Sequence, residues 1–111
     1  MLDLAAESSL AHICVVRRDL SLGTLAAQLI HAAGASSPGM LPKDTRAIAL
    51  MVDNEAELAL LAERLELASV AHVVIREPDP PWSGALMAIG IAPTADTRAA
   101  RRVLAKLQLL R

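Results

Sequence analysis

Charged and polar side chains interrupt an otherwise aliphatic segment at residues 15–34, "VVRRDLSLGTLAAQLIHAAG". Asp19 carries a carboxylate that could orient a substrate or transfer a proton, and the guanidinium of Arg18 beside it could stabilise a negative charge. The alternative role for Asp19 is structural, because a carboxylate at this place can cap free helix amides or pair with Arg18. The residue types by themselves favour the structural role.

Three polar residues follow on the predicted helix, Thr24, Gln28 and His31, at spacings that place them on one side of it. Such a stripe either faces solvent, which is the commoner case, or its amide and imidazole hold neighbouring backbone in place. Since a helix rises about 1.5 Å per residue, His31 lies about 10 Å further along the axis than Thr24. We therefore interpret His31 as mainly structural unless the chain bends back.

A second group of chemically useful side chains surrounds the loop 77–84, "EPDPPWSG", whose prolines exclude both a helix and a central strand. Glu77 is either a solvated loop acid or a general base, and a nearby Asp19 would raise the pKa of one of the two carboxyls. Arg76 could bind substrate. Trp82 could stack on a base or ribose, or cover the sheet edge or a subunit contact.

Hydrophobic periodicity predicts alternating strands and helices that would position these side chains. The predicted strands are 11–17, 47–52, 71–76 and 85–91. The first predicted helix spans about 23–34, and the second spans about 54–67, with Asn54 and Glu57 as a capping box. The last helix starts near 94–97, and its apolar face consists of Ala99, Val103, Leu104 and Leu107. Helical connections imply parallel crossovers among the first three strands, and the shorter third connection permits an antiparallel fourth strand.

The predicted fold is therefore a three-layer α/β/α arrangement with a four-stranded mixed sheet, in one domain over residues 1–111. Ligands of such open sheets bind beyond the carboxyl ends of the parallel strands, which are 17–19, 53–54 and 76–77. We expect the first and third strands to finish side by side, so that their acids and guanidinium groups share one site.

Composition limits the class of protein. The chain has 111 residues, 54% of them hydrophobic, with one Trp and no Phe or Tyr, so the core must be aliphatic. Cys14, the single cysteine, lies in an apolar run and is expected to be a small buried hydrophobe. Neither a metal-spaced His/Cys cluster nor a phosphate-binding glycine loop occurs, so we expect no metal and no cofactor.

Charge and hydropathy bear on partners. The formal net charge of -1 gives no overall attraction to nucleic acid or to an anionic membrane. Arg98, Arg102 and Lys106 could contact a phosphate backbone, although a solvated helix face is the favoured interpretation. No apolar run approaches the roughly 20 residues that span a bilayer, and the start is unlike a signal peptide, so we expect a cytoplasmic protein without membrane contact.

Two blocks of the sequence resemble the type 2 peptidyl-tRNA hydrolase family. In that family a strand ends in Arg-x-Asp-Leu and leads into a helix with Ala-Ala-Gln-x-x-His-Ala. The matching residues here are Arg17, Asp19, Leu20, Ala26, Ala27, Gln28, His31 and Ala32. The segment 73–93, "VVIREPDPPWSGALMAIGIAP", is similar to the third strand, acidic turn and fourth strand of the family, and "LAKLQLL" at 104–110 is similar to its C-terminal helix and tail.

The resemblance implies an α/β/α fold with a four-stranded mixed sheet, a homodimer, and metal-free hydrolysis of the ester that joins a peptide to tRNA. Peptidyl-tRNA or tRNA is then the implied partner. Glu77 stands where the family has a functional aspartate, and Gln28 and His31 match helix positions directly. Residues 21–24, "SLGT", replace a family turn that carries an important lysine, so Arg18 or Arg76 would have to supply the cation.

The sequence thus supports two functions. The first is a divergent peptidyl-tRNA hydrolase-like enzyme in which Asp19 or Glu77 is the base. Its remaining site residues are Gln28 and His31 in the catalytic set, and Arg18, Thr24, Arg76 and Trp82 in substrate binding. The second is a non-catalytic module that binds a ligand or protein on the same fold. Catalysis requires the two acids and an arginine to converge in one cleft, whereas a binding module allows closed salt bridges.

Overall fold

The computed structural model describes residues 10–93 and 98–111 of the chain. The strands are β1 (Ala11–Arg17), β2 (Arg46–Val52), β3 (His72–Glu77), β4 (Ala85–Ile91) and β5 (Gln108–Leu109), and the helices are α1 (Leu22–Ser36), α2 (Glu55–Leu67) and α3 (Arg98–Leu104). The α/β class is confirmed, and the strands predicted at 11–17 and 85–91 have the predicted bounds.

One mixed sheet contains all the described strands, in the order β3-β4-β1-β2-β5. β1 pairs with β2 in parallel, and β4 pairs in antiparallel fashion with both β1 and β3. β1, β2 and β3 therefore run in one direction and end at the same edge of the sheet, where β4 begins. We call this the carboxyl edge.

Two expectations about the sheet need correction. The sheet has five strands instead of four, because β5 pairs in antiparallel fashion with β2 through Leu50↔Leu109 and Met51↔Gln108. A strand of two residues is too short to show an alternating pattern in the sequence. β1 and β3 do not finish side by side either, because β4 lies between them and separates them by two strand spacings, about 10 Å.

The two faces of the sheet are packed against different helices. Successive strand residues point to opposite faces, so Ile13 and Val15 of β1 pack with Leu58, Leu61 and Leu65 of α2 in one core cluster. The neighbouring β1 residues Cys14 and Val16 belong to a second cluster, with Leu25 and Ala32 of α1 and Met87 and Ala88 of β4. Helices therefore cover both faces, and the core is aliphatic as the composition predicts.

Helix α1 continues through Gly34, where the sequence predicted its end, to Ser36. The Ser36 hydroxyl is buried and donates to the carbonyl oxygen of Ala32 at 2.7 Å, so it accepts a hydrogen bond from His12 Nε2 at 2.8 Å. This contact anchors the last turn of α1 on β1. Gly90 of β4 lies beneath the same turn, and a Cβ there would overlap Ala32 O and the Ser36 side chain.

Helix α2 begins as predicted. Asn54 is its N-cap, and Asn54 Oδ1 accepts a hydrogen bond from the backbone N of Glu57 at 3.0 Å. Glu57 Oε1 accepts from the backbone N of Asp53 at 2.7 Å, one residue earlier than in a standard capping box. The side chains of Glu57 and Asn54 thus fix the turn that follows β2 at the carboxyl edge.

The predicted cap of the last helix at 94–97 falls outside the described residues. Helix α3 ends at Leu104, so Leu107, which the sequence placed on its apolar face, follows the helix and packs against the first core cluster from the turn before β5. In the described part of the chain, no helix combines the length and apolar character needed to cross a membrane.

Candidate functional site

Arg17, the last residue of β1, is at the centre of the interactions at the carboxyl edge. Its Nε and Nη2 donate to Asp19 Oδ1 and Oδ2 at 2.7 and 2.8 Å, a bidentate ion pair in which the arginine side chain is 10% exposed. The hydrogen bonds from Arg17 hold the pKa of Asp19 below its ordinary value, and those to Asp19 raise the pKa of Arg17. The partner of Asp19 is therefore Arg17, and not Arg18 as the sequence indicated.

At Leu86 of β4, the side chains of Arg17 and Glu55 take the hydrogen bonds that a neighbouring strand would otherwise form with its backbone. The β1–β4 ladder ends at Val16↔Ala88, so the Leu86 backbone groups on that side have no strand opposite them. Arg17 Nη1 donates to Leu86 O at 3.2 Å, and Leu86 N donates to Glu55 Oε2 at 2.8 Å. Glu55 Oε1 also lies 3.8 Å from Arg17 Nη1. Arg17 and Glu55 thus join β1, β4 and the start of α2.

Trp82 lies in the loop between β3 and β4, with Arg17 Cζ 5.5 Å from its ring centroid in a cation–π contact. The indole is partly buried and packs against the α1 side of the core. The loop returns to β4 through Gly84, whose backbone N donates to Glu77 O at 2.6 Å. Gly84 has a φ of 95°, which favours glycine. Trp82 therefore covers the Arg17 side chain.

A second group at the same edge joins α1 to the end of β3. Gln28 Nε2 donates to Glu77 Oε1 at 3.0 Å, and the glutamine is only 3% exposed. Gln28 Oε1 is buried and accepts no hydrogen bond from the described residues. The other oxygen of the carboxylate, Glu77 Oε2, accepts from the backbone N of Asp79 at 3.3 Å. We call this contact the Gln28–Glu77 pair.

The remaining predicted site residues lie further out. Arg18 is 55% exposed and pairs through Nε with Asp53 Oδ1 at 2.6 Å. Arg76 is exposed and donates through Nη1 to Gly84 O at 3.1 Å. Thr24 Oγ1 accepts from the Ser21 hydroxyl at 3.1 Å in the first turn of α1, and His31 is exposed on the same helix.

Of the predicted site residues, the side-chain contacts in the described part of the chain join only Gln28 and Glu77 to each other. Asp19 binds Arg17, and Glu77 binds Gln28, so each acid has its own partner. The expected rise in pKa from two neighbouring carboxylates is absent at Asp19, whose pKa is lowered because a guanidinium is its main neighbour.

Two residues at the edge, Arg17 and Glu55, were not among the predicted site residues. No firm signal for Arg17 was present in the sequence, because β1 ends at this residue and Arg18 and Asp19 form the turn that brings the Asp19 carboxylate to its guanidinium. Nothing in the sequence marks Glu55, since its contact with Leu86 requires the start of α2 to lie over the start of β4.

No protein-family model matches the chain, and no curated protein matches it significantly. Across residues 10–93 and 98–111, no three His, Cys, Asp or Glu side chains are grouped so that they could hold a metal ion. The chemistry that this edge offers is that of its carboxylates, guanidinium groups and a buried amide.

Proposed function

We propose that this protein is a divergent peptidyl-tRNA hydrolase-like enzyme that hydrolyses the ester joining a peptide to tRNA, with Glu77 as the general base. The observation that carries the proposal is the Gln28–Glu77 pair, in which residues 49 positions apart meet at 3.0 Å. Gln28 belongs to one block that resembles the family and Glu77 to the other, so the two blocks meet at side chains suited to one reaction.

The pair suits Glu77 to activate water. Gln28 Nε2 and the Asp79 backbone N each hold one carboxylate oxygen, which fixes the orientation of the group. A carboxylate has about four lone-pair sites, so both oxygens keep capacity to accept a proton from water. Gln28 is buried, and since its amide oxygen accepts no hydrogen bond from residues 10–93 and 98–111, that oxygen is the acceptor that we assign to a bound substrate.

Stabilisation of the oxyanion requires a cation or an amide donor near the ester carbonyl. Arg17 is committed, because three of its nitrogens already donate to Asp19 and Leu86. Arg76, the residue before Glu77, donates through one nitrogen to Gly84 O, so its remaining N–H groups are the donors that we assign to this role. Arg17 and Asp19 are then positioning residues that hold the edge together.

A non-catalytic binding module is the second candidate function, and closed ion pairs favour it. Both oxygens of Asp19 accept from the Arg17 guanidinium, and Arg18 is paired with Asp53, so these charges stabilise the chain itself. An acid with a lowered pKa is a weak proton acceptor at neutral pH. On this alternative, the Gln28–Glu77 pair also serves only to join α1 to β3.

Release of a labelled N-acetylated amino acid from tRNA separates the two functions. We expect turnover by the wild type and a loss of roughly 10²–10⁴-fold in Glu77→Gln, because the amide cannot accept the proton from water. Glu63→Gln, an exposed glutamate on α2, is the matched control and should retain the wild-type rate. Far-UV circular dichroism checks that each variant is folded. Turnover in Glu77→Gln equal to the wild type, or no release by the wild type, would contradict the proposal.

A further inference from the structure

A cleft of about 500 Å³ lies at the carboxyl edge beside β2, between α2 and the segment that leads into β5. Its floor is formed by apolar side chains of β2 and α2, and its polar lining consists of Arg18, Asp53, Glu57, Arg64, Lys106 and Gln108. The site described above does not use this cleft, although Arg18 borders both.

The two carboxylates of the cleft already have partners within the chain. Asp53 accepts from Arg18 Nε at 2.6 Å, and Glu57 accepts from the backbone N of Asp53 at 2.7 Å. The ion pair with Arg18 offsets the charge of Asp53, and Glu57 keeps its negative charge, so the three cations and two carboxylates of the lining carry a net charge of +1. Arg64 and Lys106, by contrast, form no ion pair with any of the residues that the structure describes.

The donors of the cleft fit a phosphate. Only Nε of Arg18 is engaged, so both of its terminal nitrogens can donate, and Arg64 and Lys106 add two more cations. Gln108 accepts from Arg111 through Oε1 and keeps its amide N–H groups for an acceptor. Three cationic side chains around one open cleft match successive phosphates of a nucleic acid strand, and the apolar floor suits the face of an unpaired base.

The position of the cleft also suits a ligand that reaches the Gln28–Glu77 pair. Glu77 ends β3 and Asp53 follows β2, and these strands are three spacings apart in the sheet, about 14 Å. This distance corresponds to roughly four stacked nucleotides at about 3.4 Å each. The single-stranded end of a tRNA acceptor arm could therefore lie along the carboxyl edge with its ester at Glu77.

We infer that the Arg18–Arg64–Lys106 cleft binds the phosphate backbone of a single-stranded RNA 3′ end. The inference rests on the proposed function for the identity of the RNA and on the cleft itself for the chemistry. The probe is a fluorescein-labelled RNA hairpin with a single-stranded 3′ extension and no attached amino acid, and its binding is followed by fluorescence anisotropy over a range of salt concentrations.

The salt dependence measures how many phosphates are neutralised. Three contacts with a single strand give a slope of about -2 in log K against log salt, so the affinity should fall about 20-fold from about 50 to about 200 mM. In Arg64→Gln/Lys106→Gln one contact remains, so the slope should be about -0.7 and the fall about threefold. Both side chains are exposed, and the charge-retaining double variant Arg64→Lys/Lys106→Arg should keep the wild-type slope.

The matched control is Lys43→Gln/Arg46→Gln, which removes the same charge at the start of β2, on the opposite edge of the sheet. It should bind as the wild type does. A control that loses as much affinity as Arg64→Gln/Lys106→Gln would show a general charge effect and overturn the inference. A blunt hairpin or a polyglutamate peptide that binds as tightly as the probe would also overturn it.

The probe contains no ester, so this experiment is independent of hydrolysis. Binding with the expected slope together with no peptide release would support the cleft and remove the proposed function. Peptide release with a slope unchanged in Arg64→Gln/Lys106→Gln would leave the proposed function standing and overturn the inference about the cleft.

Discussion

Replacement of Arg17 by methionine should destabilise the protein far more than the same change at Arg18. Arg17→Met leaves the carbonyl of Leu86 without its hydrogen bond, which costs about 1–3 kcal/mol. It also removes a cation–π contact with Trp82, about 0.5–1 kcal/mol, and an ion pair with Asp19. Because the Asp19 side chain is 39% exposed, solvent screening limits the ion pair to about 1 kcal/mol. The free energy of unfolding should therefore fall by about 3 kcal/mol.

Arg18→Met is the control for this measurement, since Arg18 also forms an ion pair with an aspartate at a similar distance. Both partners of that pair are more than half exposed, so its loss should cost at most about 1 kcal/mol. Urea denaturation followed by circular dichroism compares the variants. With a slope of about 1.5 kcal/mol/M, the midpoint should fall by about 2 M in Arg17→Met and by less than about 0.7 M in Arg18→Met. Equal shifts would refute the conclusion that Arg17 joins the strands and Arg18 does not.

Further predictions concern helix packing and pH. Gly90→Ala should lower the free energy of unfolding by about 1–3 kcal/mol, because the new Cβ overlaps the last turn of α1. Gly34→Ala should raise the free energy of unfolding by up to about 1 kcal/mol, because its Cβ meets open space and alanine favours the helix. An unchanged melting temperature for Gly90→Ala would contradict the described packing. Burial lowers the pKa of His12 below 6.5, so its contribution to stability is complete above that pH and is lost as the pH falls through the folded-state pKa. Between about pH 7.5 and about pH 5.5, the free energy of unfolding measured by urea denaturation should fall less in His12→Gln than in the wild type. The pKa of Asp19 is lowered from 3.8, so the free energy of unfolding of the wild type should fall as the pH drops below about 3.8. This acid-induced fall should be smaller in Asp19→Asn, which has no carboxylate to protonate. A change confined to the neutral range in Asp19→Asn would argue against its pair with Arg17.

Much of the element structure was predictable because it depends on local pattern. β1 and β4 are short, continuous apolar runs that contain β-branched residues, a pattern typical of strands buried on both faces. The start of α2 was predictable from Asn54, because an N-cap acts through the amides of the next residues. The end of α1 was not, since glycine at Gly34 indicates a stop, whereas the contact of Ser36 with β1 prolongs the helix.

The sequence by itself determined the aliphatic core, the alternation of strands and helices, and the presence of Gln28 on the helix that follows β1 and of Glu77 at the end of β3. Only the tertiary structure decided which charges meet. Placement of β4 between β1 and β3 separates Asp19 from Glu77 and gives each a different partner. Arg17 and Asp19 are two residues apart, but the contacts of Gln28 with Glu77 and of Arg18 with Asp53 join residues 49 and 35 positions apart. Local residue patterns carry no information about distances of a few ångströms between such segments.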